Sequence, residues 1–310
     1  EDIRALRVLL ETGAKTPGTY LPLRRGAEHL QVVVVVNFKG GSGKTTTAAH
    51  LAQKAALDGY RVLALDLDPQ ASLSALFGFQ PELDLPDGGT LHDAIRYEDP
   101  LPLSAVIRPT YFTGLDIVPG NLELMEFEHE VPRALATGTG GLFFTRLAEQ
   151  LAEVEAQYDV VVVDCPPQLG FLTMAALSAA TAVLVTVHPQ MLDVMSMCQF
   201  LHMTADLLGV VAEAGGDMSY DWIRYLVTRH EPGDGPQAQM VAFLRALFGE
   251  HVLTNTVLKS TAISDAGITK QTLYEVERRQ FTRATYERAM ESVNAVNAEI
   301  EGLIRQAWGR

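Results

Sequence analysis

The chain is short of cysteine, of basic residues and of long apolar runs, and each shortage excludes something. Its two cysteines, Cys165 and Cys198, form no CxxC motif, which fits a reducing cytoplasm. No unbroken apolar stretch approaches the roughly 18 residues of a membrane span, so no transmembrane helix is expected. No secretory signal is visible. The chain opens Glu1-Asp2-Ile3-Arg4 without a methionine, which leads one to expect a fragment or a processed chain. Lys and Arg number 24 against 38 Asp and Glu, a net charge of −14. That balance opposes nucleic-acid binding by bulk attraction, so any DNA contact needs a local basic patch, one completed by oligomerisation included. Neither an internal repeat nor a low-complexity tract is present. What remains is 310 residues, 47 % hydrophobic, enough for one large α/β domain or one domain with a small appendage.

The most informative stretch runs from Val32 to Thr47. Val32 to Val36 is an unbroken β-branched run, the pattern of a strand buried on both faces. Gly40, Gly41 and Gly43 then allow a tight turn whose N–H groups approach an anion. Ser42 sits within that turn, Lys44 adds a positive charge, Thr45 a hydroxyl suited to Mg²⁺, and Thr46 follows. Ala48, Leu51, Ala52 and Ala55 recur with helical spacing, and Gly59 ends the pattern. Strand, glycine turn and helix N-terminus together make a phosphate cradle. The usual P-loop glycine six residues before the lysine is replaced by Phe38, and an additional lysine, Lys39, precedes Gly40.

Two further strands end in carboxylates. Arg61 to Leu65 leads into Asp66-Leu67-Asp68-Pro69-Gln70, and Val160 to Val163 into Asp164-Cys165-Pro166-Pro167. Carboxylates at the C-terminal ends of such strands lie on the rim where open α/β sheets bind ligands. The second has the Walker B form, a hydrophobic strand delivering one aspartate to a metal shell. Cys165 reads as a small buried residue, since no His or Lys stands near it in sequence.

The remaining segments alternate between both periodicities. Ala71 to Phe77 reads as a short helix closed by Gly78, and residues 79–89 as a loop. A capping box at Thr90-Leu91-His92-Asp93 starts a short helix to about Tyr97. A strand follows at Leu115 to Val118, then a helix from Leu122 to Glu130 capped by Asn121, a flexible link over residues 137–141, and a helix from Phe143 to Val154. Ala182 to Val187 reads as a strand ending at His188, which either serves as a structural histidine or lies near a ligand. Met191 to Leu208 reads as a helix whose methionines fill the core or face a partner. After a loop at 215–217, Trp222 to Thr228 reads as a strand; in the P-loop proteins that the glycine turn resembles, the loop after such a strand often flanks the base, which makes Thr228, Arg229 and Glu231 candidates. Val241 to Phe248 is a helix, 252–269 irregular, and Ala284 to Trp308 a long helix. Residues 1–31 read as an arm, with a short amphipathic helix around Ile3 to Leu10.

The Lys39-Gly-Gly-Ser-Gly-Lys-Thr loop, the Asp66-Leu-Asp-Pro-Gln turn and the Asp164-Cys-Pro-Pro strand end resemble those of ParA-family partition ATPases with a deviant Walker A motif. The wider text from about Tyr20 to Arg310 is similar to the RepA branch of that family, encoded by repABC plasmids. The resemblance implies an α/β P-loop NTPase fold, a mostly parallel twisted sheet with helices on both faces, over residues 32–310. It also implies that residues 1–31 are the tail of an upstream DNA-binding region. ATP and Mg²⁺ are the implied cofactors. Gly40, Gly41, Ser42, Gly43, Lys44, Thr45 and Thr46 are then the nucleotide contacts; Thr45, Asp66 and Asp164 lie on the metal side; Lys39, Lys44 and Asp68 are catalytic. Lys39 matches the signature lysine that crosses to the partner's nucleotide in an ATP-bound homodimer. Such a dimer binds non-specific double-stranded DNA over the nucleoid in the cytoplasm. Lys259, in Val257-Leu-Lys-Ser260, is the first DNA candidate, with Lys270, Arg278 and Arg279 next. A ParB/RepB-type protein stimulates a weak hydrolysis, and repression of its own operon is a further implied role. The rival readings are a MinD-like membrane-cycling ATPase, which needs a basic amphipathic C-terminal helix, a nucleotide-switched repressor, and a metabolic relative with interfacial cysteine ligands.

Overall fold

The computed structural model describes residues 2–85, 88–138, 142–216 and 218–310, with Asp2 by its backbone alone. Residues 139–141 of the expected link, 86–87 of the expected 79–89 loop and 217 of the next loop lie outside the described residues. One seven-stranded sheet organises the chain: β1 (Gln31–Val36), β2 (Val62–Asp66), β3 (Arg108–Pro109), β4 (Leu115–Val118), β5 (Val160–Asp164), β6 (Ala182–Val187) and β7 (Trp222–Val227). Their spatial order is β3-β4-β2-β5-β1-β6-β7. All pairings are parallel except β3 with β4. This is the expected α/β P-loop NTPase architecture.

The valine run of β1 is buried throughout, because alternate side chains enter two different cores. Val32, Val34 and Val36 join one layer with Leu63, Leu65, Val161 and Val163; Val33 and Val35 join the other with Val62, Ala64, Val160 and Val162. The second layer is covered by α2 (Lys44–Asp58) and α13 (Arg283–Ala307). The first is covered by α5 (Leu91–Ile95), α7 (Leu124–Thr137), α8 (Arg146–Val154), α9 (Phe171–Ala179) and α10 (Met191–Glu213). The other helices are α1 (Asp2–Thr12), α3 (Ser72–Leu76), α4 (Pro81–Asp84), α6 (Leu103–Val106), α11 (Gly235–Phe248) and α12 (Thr261–Ile268). As expected, Gly59 closes α2 in the left-handed conformation, φ +105°.

Several elements differ from the expectation. α7 runs on to Thr137 through Pro132, because Leu124, Phe127, Val131 and Ala134 form one buried stripe on both sides of the proline. α4 occupies part of the expected 79–89 loop. Residues 252–269, expected to be irregular, contain α12. Its composition is a weak helix former, but Ser260 accepts from Ala262 N at 3.2 Å, and Ala262 and Ala266 bury themselves beside Val293 of α13. α9 carries no sequence signal that marked it. Its N-terminus is held by the Glu128 carboxylate, which accepts from Phe171 N at 2.9 Å and Leu172 N at 3.0 Å.

Among the described residues one helix, α10, is long and apolar enough to cross a membrane by length and composition. It contains no unbroken apolar run, because Asp193 and Asp206 interrupt it. In the fold, Val194, Met197, Phe200 and Val211 form its buried side, while Met191, Leu192, Met195 and Met203 are exposed. The C-terminal helix lacks the free apolar face of a membrane anchor, since Ile300, Ile304 and Trp308 are buried in the second core.

Candidate functional site

β1 ends in the middle of the sheet, between β5 and β6, and the chain turns there into the glycine loop. Asn37 starts the turn: its amide donates to Thr186 O, and its Oδ1 accepts from Lys39 N at 2.9 Å. Gly41 and Gly43 have φ of +76° and +86°, where a Cβ is strained. The loop is tied down from outside. Thr186 donates to Ser42 Oγ at 3.0 Å, Thr228 Oγ1 to Ser42 O at 2.7 Å, and Arg229 Nη1 to Gly41 O at 3.1 Å. These contacts use carbonyls and hydroxyls. Among the described residues the N–H groups of residues 40–43 bond to nothing, and those of Lys44, Thr45 and Thr46 in the first turn of α2 have no intrahelical acceptor. Seven successive N–H groups, those of residues 40–46, are thus left without a protein acceptor among the described residues.

The carboxylates come from the neighbouring strands. Asp164 pairs in register with Val35 on one side and with Asp66 on the other. It is fully buried, and neither oxygen has a hydrogen-bond partner of ordinary geometry among the described residues. Burial drives its pKa far up, the Asp66 charge adds to this, and the Thr45 hydroxyl and Lys44 pull it back. Lys44 is 6 % exposed, and burial lowers its pKa against the pull of Asp164 and Asp68. A buried, unsatisfied carboxylate beside a hydroxyl and an ammonium suits a divalent cation with oxygen ligands.

Asp66 needs a correction. It lies beside Asp164, but its oxygens are turned away: Oδ2 accepts from Ser74 N and Oγ, both at 2.7 Å, and Oδ1 faces Asp68 N at 3.3 Å. Burial raises its pKa to about 7 despite those donors. Asp66 therefore orders the turn that carries Asp68 rather than offering a free oxygen to a metal. Asp68 accepts from Gln70 N at 2.9 Å through Oδ1.

Lys39 does not point at this space. Its ammonium is paired with Asp193 in the first turn of α10, whose second oxygen lies 3.2 Å from His188 Nδ1. Lys39 is about half exposed at 49 %, Asp193 only 8 %. His188 is thus a partner of the residue that holds Lys39. Asp193 carries no local sequence signal, since an acid near a helix start is ordinary. Cys165 is buried, and burial with the Asp164 charge raises its thiol pKa, so it is no nucleophile.

A cavity of about 350 Å³ opens beside the loop, lined by Gly41, Gly43, Thr228 and Arg229 and walled by Val257, Leu258 and Ile263. Those apolar side chains escaped the sequence, which pointed to Thr228, Arg229 and Glu231. Lys259 also lines this cavity and is paired with Glu231 at 2.8 Å. Arg278 pairs with Glu287 and Arg279 with Glu277. Lys270 is exposed at the end of α12 in a left-handed conformation. Three of the four basic candidates thus carry a carboxylate neighbour. Arg288, not singled out in the sequence, shares a small hollow with Lys259.

Known proteins resemble this chain in sequence and fold. The profile of the AAA domain family matches residues 30–209. A protein of Rhizobium rhizogenes named "Putative replication protein A" is 60 % identical over 313 residues, spanning 100 % of this chain and 78 % of that protein. Protein SopA of Escherichia coli K12 is 32 % identical over 295 residues, 92 % of this chain and 74 % of SopA. The chain belongs to the ParA family of partition ATPases. Among solved structures, cobyrinic acid a,c-diamide synthase of Mycobacterium smegmatis, with a bound ATP analogue and magnesium, superposes with a TM-score of 0.63 at 27 % identity. That match covers 78 % of this chain and 91 % of the synthase.

Proposed function

We propose that this chain is the motor ATPase of a plasmid partition system. It binds Mg·ATP, closes into a homodimer across the nucleotide, holds non-specific double-stranded DNA over the nucleoid, and lets go after hydrolysis stimulated by a ParB/RepB-type protein. The observation that carries the reading is the orphaned, buried Asp164 set beside Thr45 and Lys44 at the foot of seven unpaired N–H groups.

The residues divide the work as follows. The N–H groups of residues 40–46, with Lys44, bind and orient the phosphates. Thr45 and Asp164 hold Mg²⁺, with Asp66 orienting the turn beside them. The bound ion supplies charge neutralisation for phosphoryl transfer. Asp68 positions the attacking water, and the Asp66–Ser74 bonds fix its turn. Val257, Leu258 and Ile263 offer an apolar wall to the base. Lys39 leaves Asp193 and neutralises charge on the partner's nucleotide, which makes hydrolysis wait for dimerisation. Lys259, with Lys270, Arg278 and Arg279, supplies the DNA contacts.

A fluorescence-anisotropy titration of a random duplex tests this. Affinity is expected with ATP, not with ADP, and falls steeply as salt rises. Equal affinity with ATP, ADP and no nucleotide refutes the switch. Binding to anionic liposomes that depends on ATP, with no DNA binding, would instead favour the membrane-cycling relatives.

A further inference from the structure

A second cluster of ligating side chains lies between α5 and α7 and uses no residue of the P-loop site. His92 of α5 is 4 % exposed. Among the described residues neither of its ring nitrogens has a hydrogen-bond partner, and neither does the sealed Oε2 of Glu130 on α7. Glu123 Oε2 lies 3.7 Å from His92 Nδ1, too far for a hydrogen bond. Glu126 stands one helical turn before Glu130, on the same face of α7, and is exposed. One donor atom each from His92, Glu126 and Glu130 lie within 4.8 Å of one another.

Leaving such groups unpaired is costly. Each buried, unsatisfied polar atom costs about 1–3 kcal/mol, and here two elements aim theirs at one point. We propose that His92, Glu126 and Glu130 bind a first-row divalent cation, zinc foremost, and that the ion clips α5 to α7. An imidazole with two carboxylates suits zinc better than magnesium or calcium, which take oxygen ligands. Two carboxylates and a neutral imidazole balance the charge of the ion. Ligand bonds of about 2.1 Å bring ligating atoms to roughly 3.4–4.2 Å of one another. Rotation of the exposed Glu126 side chain closes the remaining gap, and the fourth position is open to water or to Glu123. Three protein ligands with one such open position match the ligand count of a solvent-accessible zinc site.

Both helices have independent anchors that fix the site. The capping box of Thr90 and Asp93 holds α5, and Glu128 ties α7 to the start of α9. The clip is also continuous with the aspartate turn. Thr90 Oγ1 lies 3.3 Å from Asn121 Oδ1, Gly120 N donates to Ser74 Oγ, and Ser74 donates to Asp66.

The test is calorimetric titration of zinc chloride into the full, metal-stripped chain, with excess Mg²⁺ and ADP present to occupy the P-loop. One zinc per chain is expected, at micromolar affinity or tighter. His92→Asn and Glu126→Gln should each weaken it at least tenfold. Glu126 is on the surface, so its variant should keep the thermal midpoint of the zinc-free protein. Co²⁺ should give visible absorption bands in the wild type that Glu126→Gln loses. No zinc binding, or equal affinity in wild type and Glu126→Gln, overturns the proposal and leaves the pocket to a bridging water.

Discussion

Freeing Lys39 should strengthen dimerisation. Its ammonium is held by Asp193, so on the proposed function each protomer must break that pair before Lys39 reaches across. Two unit charges about 4 Å apart attract by about 4 kcal/mol at an effective dielectric of 20 and about 1 kcal/mol in water. Lys39 is 49 % exposed, which places the pair near the lower figure once screening and side-chain entropy are included. Two latches per dimer then oppose closure by about 2 kcal/mol, roughly thirtyfold in the dimer dissociation constant. Asp193→Asn keeps the shape and a polar contact to His188 but removes the charge. Sedimentation equilibrium with a non-hydrolysable ATP analogue should give a dimer about thirtyfold tighter than wild type, and Lys39→Ala a weaker one. A small loss of monomer stability, about 0.3–1 kcal/mol, is expected because Asp193 also serves the N-terminus of α10. Unchanged or weaker dimerisation of Asp193→Asn would refute the latch.

Three other outcomes follow from the carboxylates and the turn that holds them. Asp164→Asn removes a carboxylate oxygen proposed to hold Mg²⁺, so Mg·ATP should cease to protect the protein, read as the thermal midpoint with and without ligand. Asp66 has a native pKa raised to about 7 from 3.8. The folded state then binds more protons than the unfolded one between those values, so this contribution is full below 3.8 and is lost as pH rises through about 7. Relative to Asp66→Asn, the metal-free thermal midpoint of the wild type should therefore decline from about pH 5 to about pH 8, and a difference that stays constant or grows in favour of the wild type would contradict the burial of Asp66. At Gly120 an added Cβ would lie 2.4 Å from Asp66 O and 3.2 Å from Asp68 O, both backbone atoms. Gly120→Ala should cost about 1–3 kcal/mol and slow ATP turnover by moving Asp68, checked by thermal unfolding and phosphate release.

The nature of the fold and of the phosphate cradle was legible in the sequence because both rest on local chemistry. Five successive β-branched residues demand a doubly buried strand, and the Gly41 and Gly43 positions demand left-handed backbone wherever the rest of the chain goes. That Asp66 and Asp164 lie side by side was readable because strand ends in such a sheet share one rim. Tertiary structure alone decided the rest. Asp66 turns to Ser74 because α3 brings two donors to it, which its own segment does not reveal. Lys39 meets Asp193, 154 positions along the chain, only because β1 and β6 are neighbours in the sheet. α12 forms because α13 covers it, and His92 faces Glu126 and Glu130 only because α5 packs against α7. Local sequence sets backbone preference and burial pattern, whereas pairing between distant charged groups depends on sheet order and helix docking, which no single segment encodes.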